Sequence, residues 1–265
     1  MARTTLTCSR RTNMTTDAAL YQLLSWTSPS YPTGAFSYSH GLEWAVETRQ
    51  VHNLSGLMDF VEAALTHGGG WIDAVLFAHV WRAAAGVWPA TAVGATGAAA
   101  PISPSALIDQ VALAEIHGLS QLAAAFRSSA ETALESHQQG TAFLQITRRA
   151  WPHPVLDSFA ERCAGEPIAH CTVVALTCAA HDIALEPSLH AYLHAFTANL
   201  VSAGARLIPL GQTDAQIAIA RLSEPIRHVT ERALRTTLED LGSATPGLEL
   251  CSMLHETQYT RLFRS

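Results

Sequence analysis

Two histidines four residues apart are the strongest candidates for chemistry in this sequence. His190 and His194 lie in a segment predicted to be helical, and a spacing of four places both imidazoles on one helix face. Imidazole nitrogens bind nickel or zinc well, and His181 in the preceding segment offers a third ligand. With a nearby carboxylate, such a set would suit a helical metal-dependent hydrolase. Exposed or helix-capping histidines explain the same three residues, so both interpretations stay open.

Two further groups of residues resemble parts of catalytic sites without completing one. Glu43 and Glu47 lie one helical turn apart, as paired carboxylates for acid–base catalysis would. Neither has the apolar neighbourhood that tunes catalytic carboxylates, so we expect a solvated helix face or a salt bridge to a partner. His255-Glu256 begins like the zinc-binding pattern H-E-x-x-H, but residue 259 is tyrosine. The sequence also has no G-x-S-x-G elbow and no glycine-rich phosphate loop.

The composition excludes several classes of protein. Lysine is absent from all 265 residues, and the sixteen basic residues are all arginine. A P-loop lysine, a pyridoxal Schiff base and a lysine nucleophile are therefore excluded. The net charge of -6, without a clustered basic face, argues against nucleic-acid binding. Charged residues make up only 14% of the chain, which favours a surface that partner proteins partly cover.

Cysteine usage and hydropathy indicate the compartment. The five cysteines, an odd number without close spacing, fit a reducing environment better than a secreted disulfide framework. The most apolar run, residues 168–185, contains His170, His181 and Asp182, so we expect a buried core helix there and not a membrane span. The sequence also lacks a cationic amphipathic helix that would bind a membrane surface. We therefore expect a cytoplasmic protein.

The spacing of apolar residues predicts an all-α fold, with roughly ten helices in a single compact domain at residues 16–247. Between residues 57 and 65, apolar side chains recur at three- and four-residue intervals, as on the buried face of a helix. Alternating runs of β-branched residues, which would indicate strands, are missing. Pro187 and Pro225 each stand where a helix can begin, so each is expected to separate two helices.

Three segments depart from this regular helical pattern. Residues 1–15 are rich in Thr, Ser and Arg and predict a disordered leader, with Met14 as an alternative translation start. Residues 86–104 are rich in Ala, Gly, Thr and Pro, a composition typical of a flexible surface loop. Residues 248–265 form a C-terminal tail that carries Tyr, Leu, Phe and Arg, the residue types of interface hot spots. Docking onto a partner is the favoured interpretation of this tail, and folding back onto the chain's own core would also explain it.

Residues 32–43 place turn-forming residues and aromatics between two predicted helices. Proline and glycine residues interrupt the helical pattern here, which leaves Phe36 and Tyr38 on or beside a bend. Aromatic side chains on a rigid bend bury a large area at little rotamer cost. We therefore predict a protein-contact surface at this bend.

Four blocks of the sequence match the pattern of one known family. They are residues 34–39 (GAFSYS), 41–43 (GLE), 206–213 (RLIPLGQT) and 255–265 (HETQYTRLFRS). Together these blocks closely resemble the urease accessory protein UreF family. The resemblance spans about Leu23 to the end of the chain and is strongest in the four blocks.

The resemblance implies an all-helical, dimer-forming chaperone subunit with no enzymatic activity and no tightly bound cofactor of its own. Such a subunit would bridge a second accessory protein, UreD (called UreH in some organisms), to the nickel-carrying GTPase UreG. It would assist nickel insertion into apo-urease and could modulate GTP hydrolysis by its partner. The partner-binding residues implied in this chain are Phe36, Tyr38, Glu43, Tyr259, Arg261, Leu262, Phe263 and Arg264.

Overall fold

A computed structural model describes residues 16–87 and 108–264. Within these ranges the chain forms eleven α-helices, one short 3-10 helix and no β-strand, packed as a single helical domain. The prediction of an all-α fold with roughly ten helices is confirmed. The leader predicted at residues 1–15, and all but the first two residues of the loop predicted at 86–104, lie outside the described residues.

The α-helices are numbered in chain order. They are α1 (Asp17–Trp26), α2 (Leu42–Glu47), α3 (Leu54–Thr66), α4 (Gly69–Ala84), α5 (Gln110–Ala125), α6 (Ala130–Ala150), α7 (Pro154–Arg162), α8 (His170–Ala180), α9 (Leu185–Leu207), α10 (Gln212–Ala233) and α11 (Pro246–His255). The 3-10 helix covers Ala35–Ser37, between α1 and α2.

Side chains in the sequence fix several helix starts. Thr16 caps α1 and Asn53 caps α3, each by accepting a hydrogen bond from a first-turn amide. Ser129 and Thr132 form a reciprocal capping box at the start of α6. First-turn amides have no carbonyl partner within their own helix, so these side chains supply the missing acceptors.

Helix α8 lies at the centre of the main core. Residues 171–179 of this helix are all buried, so α8 is covered on every side, mainly by α4, α6 and α9. A helix that is apolar all round is stable only in such a position. The core helix predicted within residues 168–185 is thus confirmed. Among the described residues, no helix is both long and apolar enough to cross a lipid bilayer.

A second apolar cluster links α2, α3, α9 and α10 to the end of the chain. It contains Leu42, Leu57 and Leu200, and the buried side chain of Phe263 packs into it. Helix α11 occupies the first part of the segment predicted as a tail, and residues 256–264, which form turns and bends, make up the remaining tail. Part of the tail therefore folds back onto the chain's own core, as the alternative interpretation proposed.

The expectation that Pro225 separates two helices is wrong, because α10 continues through it. Proline inside a helix removes one backbone hydrogen bond, at a cost of about 3 kcal/mol. Leu222 and Ile226, on either side of Pro225, are both buried in the core. Their packing maintains the helix across the proline. Pro187 lies in the first turn of α9, as predicted.

Candidate functional site

The bend (residues 32–43) and the tail (residues 256–264) are far apart in sequence and lie against each other in the structure. The Arg264 amide donates to the Ser37 carbonyl oxygen at 2.8 Å. Arg206 of α9 reaches the same segment, where its Nη2 donates to the Phe36 carbonyl oxygen at 2.8 Å. The two segments therefore form one continuous surface on the end of α9.

Glycine conformations shape the bend. Gly34 and Gly41 both have a φ of 77°, in the left-handed region that side chains disfavour. A Cβ atom at Gly41 would lie 2.5 Å from the Ser252 backbone nitrogen, so α11 packs directly on the backbone of the bend. Gly41 thus provides both the chain reversal and the close approach of α11.

Glu43 is the central polar residue of this site. Its carboxylate accepts hydrogen bonds from the backbone amides of Leu262 at 2.6 Å and Phe263 at 2.9 Å, and it lies 3.0 Å from His255 Nε2. Glu43 is buried, so the expectation of a solvated helix face is wrong for this residue, whereas Glu47 is exposed. A buried carboxylate needs hydrogen-bond donors, and here the tail backbone supplies two of them.

His255, the last residue of α11, lies between two carboxylates. Its Nδ1 is 2.7 Å from Glu131 Oε2 on α6, and its Nε2 contacts Glu43 on α2. The imidazole is completely buried. Arg261 of the tail donates from Nη1 to Glu131 Oε1 at 2.9 Å. The His255-Glu256 pair in the sequence is therefore part of a structural network that joins α2, α6, α11 and the tail.

The residues predicted to bind a partner fall into an exposed group and a buried group. The exposed group consists of Phe36, Tyr259, Arg261, Leu262 and Arg264. The buried group consists of Tyr38, Glu43 and Phe263. A buried residue cannot be a direct anchor for a docked protein, so this second group supports the surface from beneath.

Tyr38 and Phe263 show how the support works. The Tyr38 hydroxyl donates to Gln138 Oε1, which also accepts a hydrogen bond from Arg264 Nη1 at 3.2 Å. Burial raises the pKa of Tyr38, which keeps its hydroxyl a proton donor. The Arg206 guanidinium stacks on the Phe263 ring, 4.4 Å from its centre. Both aromatic side chains thus hold the tail and the bend together.

The outer side of this surface combines apolar side chains with arginines. Phe36 is 64% exposed, Leu262 is 65% exposed and Tyr259 is fully exposed. Arg261 and Arg264 of the same tail are also exposed. Large apolar and aromatic side chains beside arginine are the composition of interface hot spots. This bend–tail surface, formed by the exposed group of residues, is the candidate docking site.

A buried polar cluster lies beneath the bend. Asp73 Oδ1 accepts a hydrogen bond from Arg127 Nη2 at 2.6 Å, and Oδ2 accepts one from the Tyr192 hydroxyl at 2.8 Å. Burial alone would raise the pKa of Asp73, but the charge and hydrogen bond of Arg127 hold it below its ordinary value. Burial lowers the pKa of nearby His170 to about 4, so that imidazole is neutral. The cluster borders a cavity of about 100 Å³. Its ion pair connects α4 to the loop between α5 and α6.

The histidine pair on α9 has no third metal-ligating side chain grouped with it in the described part of the chain. His190 and His194 border a surface groove of about 620 Å³ between α1 and α9. His181 lies elsewhere, with its ring against Trp26. In residues 16–87 and 108–264, no three His, Cys, Asp or Glu side chains come together in a way that could hold a metal ion.

Comparison with known proteins decides the family. A family model described as UreF matches residues 51–223. The chain is 48% identical, over 256 residues, to the urease accessory protein UreF of Granulibacter bethesdensis. The aligned residues cover 96% of this chain and 97% of that relative. The chain belongs to the UreF family. It is also 45% identical to the UreF of Rhodopseudomonas palustris and 42% identical to that of Bradyrhizobium diazoefficiens, each over 248 residues, 94% of this chain and 92% of the relative.

The matched range of the UreF family model lies between the bend and the tail, so it contains neither segment. It does contain Glu131, Gln138 and Arg206, three supporting residues of the site that sequence reasoning missed. Arg206 belongs to one of the four blocks that resemble the UreF family, and that block was its only signal. Glu131 and Gln138 occupy ordinary helix positions, and only the contacts with the distant tail distinguish them.

Proposed function

We propose that this UreF-family chain is a non-enzymatic, cytoplasmic scaffold that assists nickel insertion into apo-urease. In this proposal it holds a UreD-type (UreH-type) protein and a UreG-type GTPase in one complex. The observation that carries the proposal is the bend–tail surface, where Phe36, Tyr259 and Leu262 are exposed beside arginines. Membership of the UreF family supports the urease context.

We assign the bend–tail surface to the UreD-type partner. The tail is already tied down through Glu43, His255 and Glu131, so docking does not have to order a free segment. A pre-organised surface loses less conformational entropy on binding and gains affinity accordingly. Hydrolysis of GTP belongs to the UreG-type partner in this proposal, because the present chain has no lysine for a phosphate-binding loop.

Removing two exposed side chains of the tail tests this assignment. Tyr259→Ala and Leu262→Ala, combined in one variant, are expected to weaken binding of the UreD-type protein at least about 30-fold, which corresponds to about 2 kcal/mol. Both side chains face solvent, so the helix content and thermal stability of the free chain should not change. Isothermal titration calorimetry with the purified UreD-type protein measures the dissociation constant.

Val111→Ala is the control, because Val111 is also a largely exposed apolar residue but lies on α5. It should bind the UreD-type partner as the wild type does. Equal affinity for the wild type, the tail variant and the control would show that the bend–tail surface is not the docking site.

We further propose that the outer face of α1 is the dimer interface with a second copy of this chain. Leu20, Tyr21 and Leu24 are each at least half exposed there, although the opposite face of α1 is buried in the core. A helix with apolar side chains on both faces is typical of an interface. His190 and His194 border the same groove. The three side chains are uncharged, so two copies can bring them together around a two-fold axis.

Charge introduced on α1 should separate such a dimer. The double variant Leu20→Arg and Leu24→Arg brings like charges together across the two-fold axis and leaves the core face of α1 intact. We expect a dimer in the wild type and a monomer in this variant at the same concentration, measured by sedimentation equilibrium. Val111→Arg on α5 is the control and should remain dimeric. A monomeric wild type, or a variant that still dimerises, would contradict the assignment.

A further inference from the structure

Arg206 and Arg264 bind only neutral acceptors in the described part of the chain. Arg206 donates from Nη2 to the Phe36 carbonyl oxygen at 2.8 Å and from Nε to the Ser202 carbonyl oxygen at 3.3 Å. Arg264 donates from Nη1 to Gln138 Oε1 at 3.2 Å. The ion pairs among the described residues involve other arginines. Since arginine stays protonated in proteins, both side chains carry a positive charge that no described carboxylate contacts.

The pKa of Arg206 is consistent with this lack of a counter-charge. Partial burial lowers the pKa of Arg206, and no carboxylate of the described residues raises it. In Arg227, by contrast, hydrogen bonds to Glu224 and Glu231 raise the pKa. A partly buried guanidinium is stabilised when a carboxylate binds beside it. Arg206 is therefore a ready partner for an external carboxylate.

The carboxylates closest to the bend and the tail lie beneath the surface. Glu43, Glu131 and Glu135 are all buried. The first accepts tail amides, the second pairs with a tail arginine, and the third lies 2.9 Å from a histidine of the bend. Glu256 is exposed, but its Oε1 accepts the Ala130 amide at the start of α6, at 3.0 Å. The outer side of the bend–tail surface is therefore positive, although the whole chain has a net charge of -6.

Both arginines keep hydrogen-bond donors for a ligand. A guanidinium has five N–H donors in a planar fork. Within the described residues, Arg206 uses two of its donors and the Arg264 side chain uses one. Such a fork can bind both oxygens of a carboxylate. The exposed side chains of Phe36 and Leu262 belong to the same surface and offer an apolar contact next to the charge.

We propose that the bend–tail surface recognises an acidic segment of its protein partner. Carboxylates of that segment pair with Arg206 and Arg264, and an apolar side chain of the same segment packs on Phe36 and Leu262. This inference rests on the proposed function, which assigns the surface to the UreD-type protein. It adds the chemistry by which that protein is recognised.

The surface suits a polypeptide better than a nucleic acid or a lipid bilayer. Phosphate polymers and anionic lipids are bound by many basic residues acting together, and the net charge of -6 opposes both. Here a small number of arginines lie among large apolar side chains, on segments held by backbone hydrogen bonds. That combination is the composition of a protein–protein interface.

The association rate of the UreD-type protein, measured by stopped-flow at several salt concentrations, tests this inference. Opposite charges on two proteins accelerate their encounter, and salt screens the attraction. The Debye length falls from about 10 Å at 0.1 M salt to about 3 Å at 1 M. In the wild type the association rate constant should therefore fall at least about tenfold between low salt and 1 M salt.

Two double variants separate the charge of the arginines from their structural contacts. Arg206→Met with Arg264→Met removes both charges and should associate about tenfold more slowly at low salt, with little difference from the wild type at 1 M. Arg206→Lys with Arg264→Lys keeps the charges without the fork. It should keep the wild-type association rate and dissociate faster. Hydrogen exchange at the Leu262 and Phe263 amides checks that the tail stays in place.

Arg149→Met combined with Arg162→Met is the matched control. It removes the same total charge from exposed positions in the last turns of α6 and α7. The association rate and its salt dependence should stay as in the wild type, because these positions lie outside the bend–tail surface.

Three outcomes would overturn the proposal. The methionine variant could associate as fast as the control, or the lysine variant could be as slow as the methionine variant, which would make the effect structural. Alternatively, the methionine variant could bind the UreD-type protein normally but lose binding to vesicles of phosphatidylcholine and phosphatidylserine, which would assign the arginines to a membrane. If the arginine variants match the control while the Tyr259 and Leu262 variant binds weakly, the docking assignment stands and only the acidic segment is refuted. If all of these variants bind as the wild type does, both proposals fail.

Discussion

Replacing Arg127 with methionine is expected to lower the free energy of unfolding by about 3–5 kcal/mol. The guanidinium of Arg127 and the carboxylate of Asp73 are both 93% buried, and each is the counter-charge of the other. Methionine fills similar space but leaves the Asp73 carboxylate with only the Tyr192 hydroxyl as a strong donor. An uncompensated buried charge is among the most destabilising changes a core can undergo.

The loss of stability in Arg127→Met should become smaller as the pH is lowered. In the wild type the pKa of Asp73 is held below its ordinary value, so the ion pair stabilises the fold at neutral pH and is lost as the pH falls. Without Arg127, burial dominates and raises the pKa of Asp73. The difference in the free energy of unfolding between the wild type and Arg127→Met should therefore be largest at neutral pH and shrink as the pH is lowered.

Thermal unfolding at several pH values measures both effects. The melting temperature of Arg127→Met should fall by roughly 6 °C or more at neutral pH. Arg227→Met is the control, because Arg227 forms its ion pairs with Glu224 and Glu231 on the solvent-facing side of α10. Its melting temperature should stay close to that of the wild type. Equal melting temperatures for the two variants would show that the buried pair contributes little to stability.

The all-α fold could be predicted from local signals. Apolar spacing and capping residues such as Thr16 act within one or two helical turns, and both are legible in the sequence. The expectation at Pro225 is wrong because it follows the local rule that proline ends a helix. The contacts that override this rule come from residues packed around Leu222 and Ile226, and a linear pattern does not contain them.

The candidate site could be predicted only in part. Residue types singled out both the bend and the tail, but their contact with each other was not predicted. The expectation of a solvated face fails for Glu43 because its donors, the amides of Leu262 and Phe263, lie more than 200 positions further along the chain. Burial that arises from such distant contacts has no local signature. The division of the predicted residues into exposed anchors and buried supports therefore required the structure.

Replacing Gly41 with alanine should separate the bend from α11 and detach the tail. The φ of 77° at Gly41 costs an alanine about 1–2 kcal/mol. In addition, the new Cβ would lie 2.5 Å from the Ser252 nitrogen and 2.8 Å from the Cys251 carbonyl carbon. These atoms belong to the backbone of α11 and cannot rotate away, so the helix itself has to move. Together the two effects should lower the free energy of unfolding of Gly41→Ala by about 2–5 kcal/mol.

Gly34→Ala provides a matched control for this prediction. Gly34 has the same φ of 77°, but nothing lies within 4 Å of the position its Cβ would take. The Gly34→Ala variant should therefore lose only about 1–2 kcal/mol in the free energy of unfolding, from the backbone conformation alone. Its tail amides should stay protected from exchange. Chemical denaturation gives the two free energies, and hydrogen exchange at Leu262 and Phe263 reports the tail. If both variants lost the same free energy and kept the same protection, close packing of α11 on the bend could not be what holds the docking surface together.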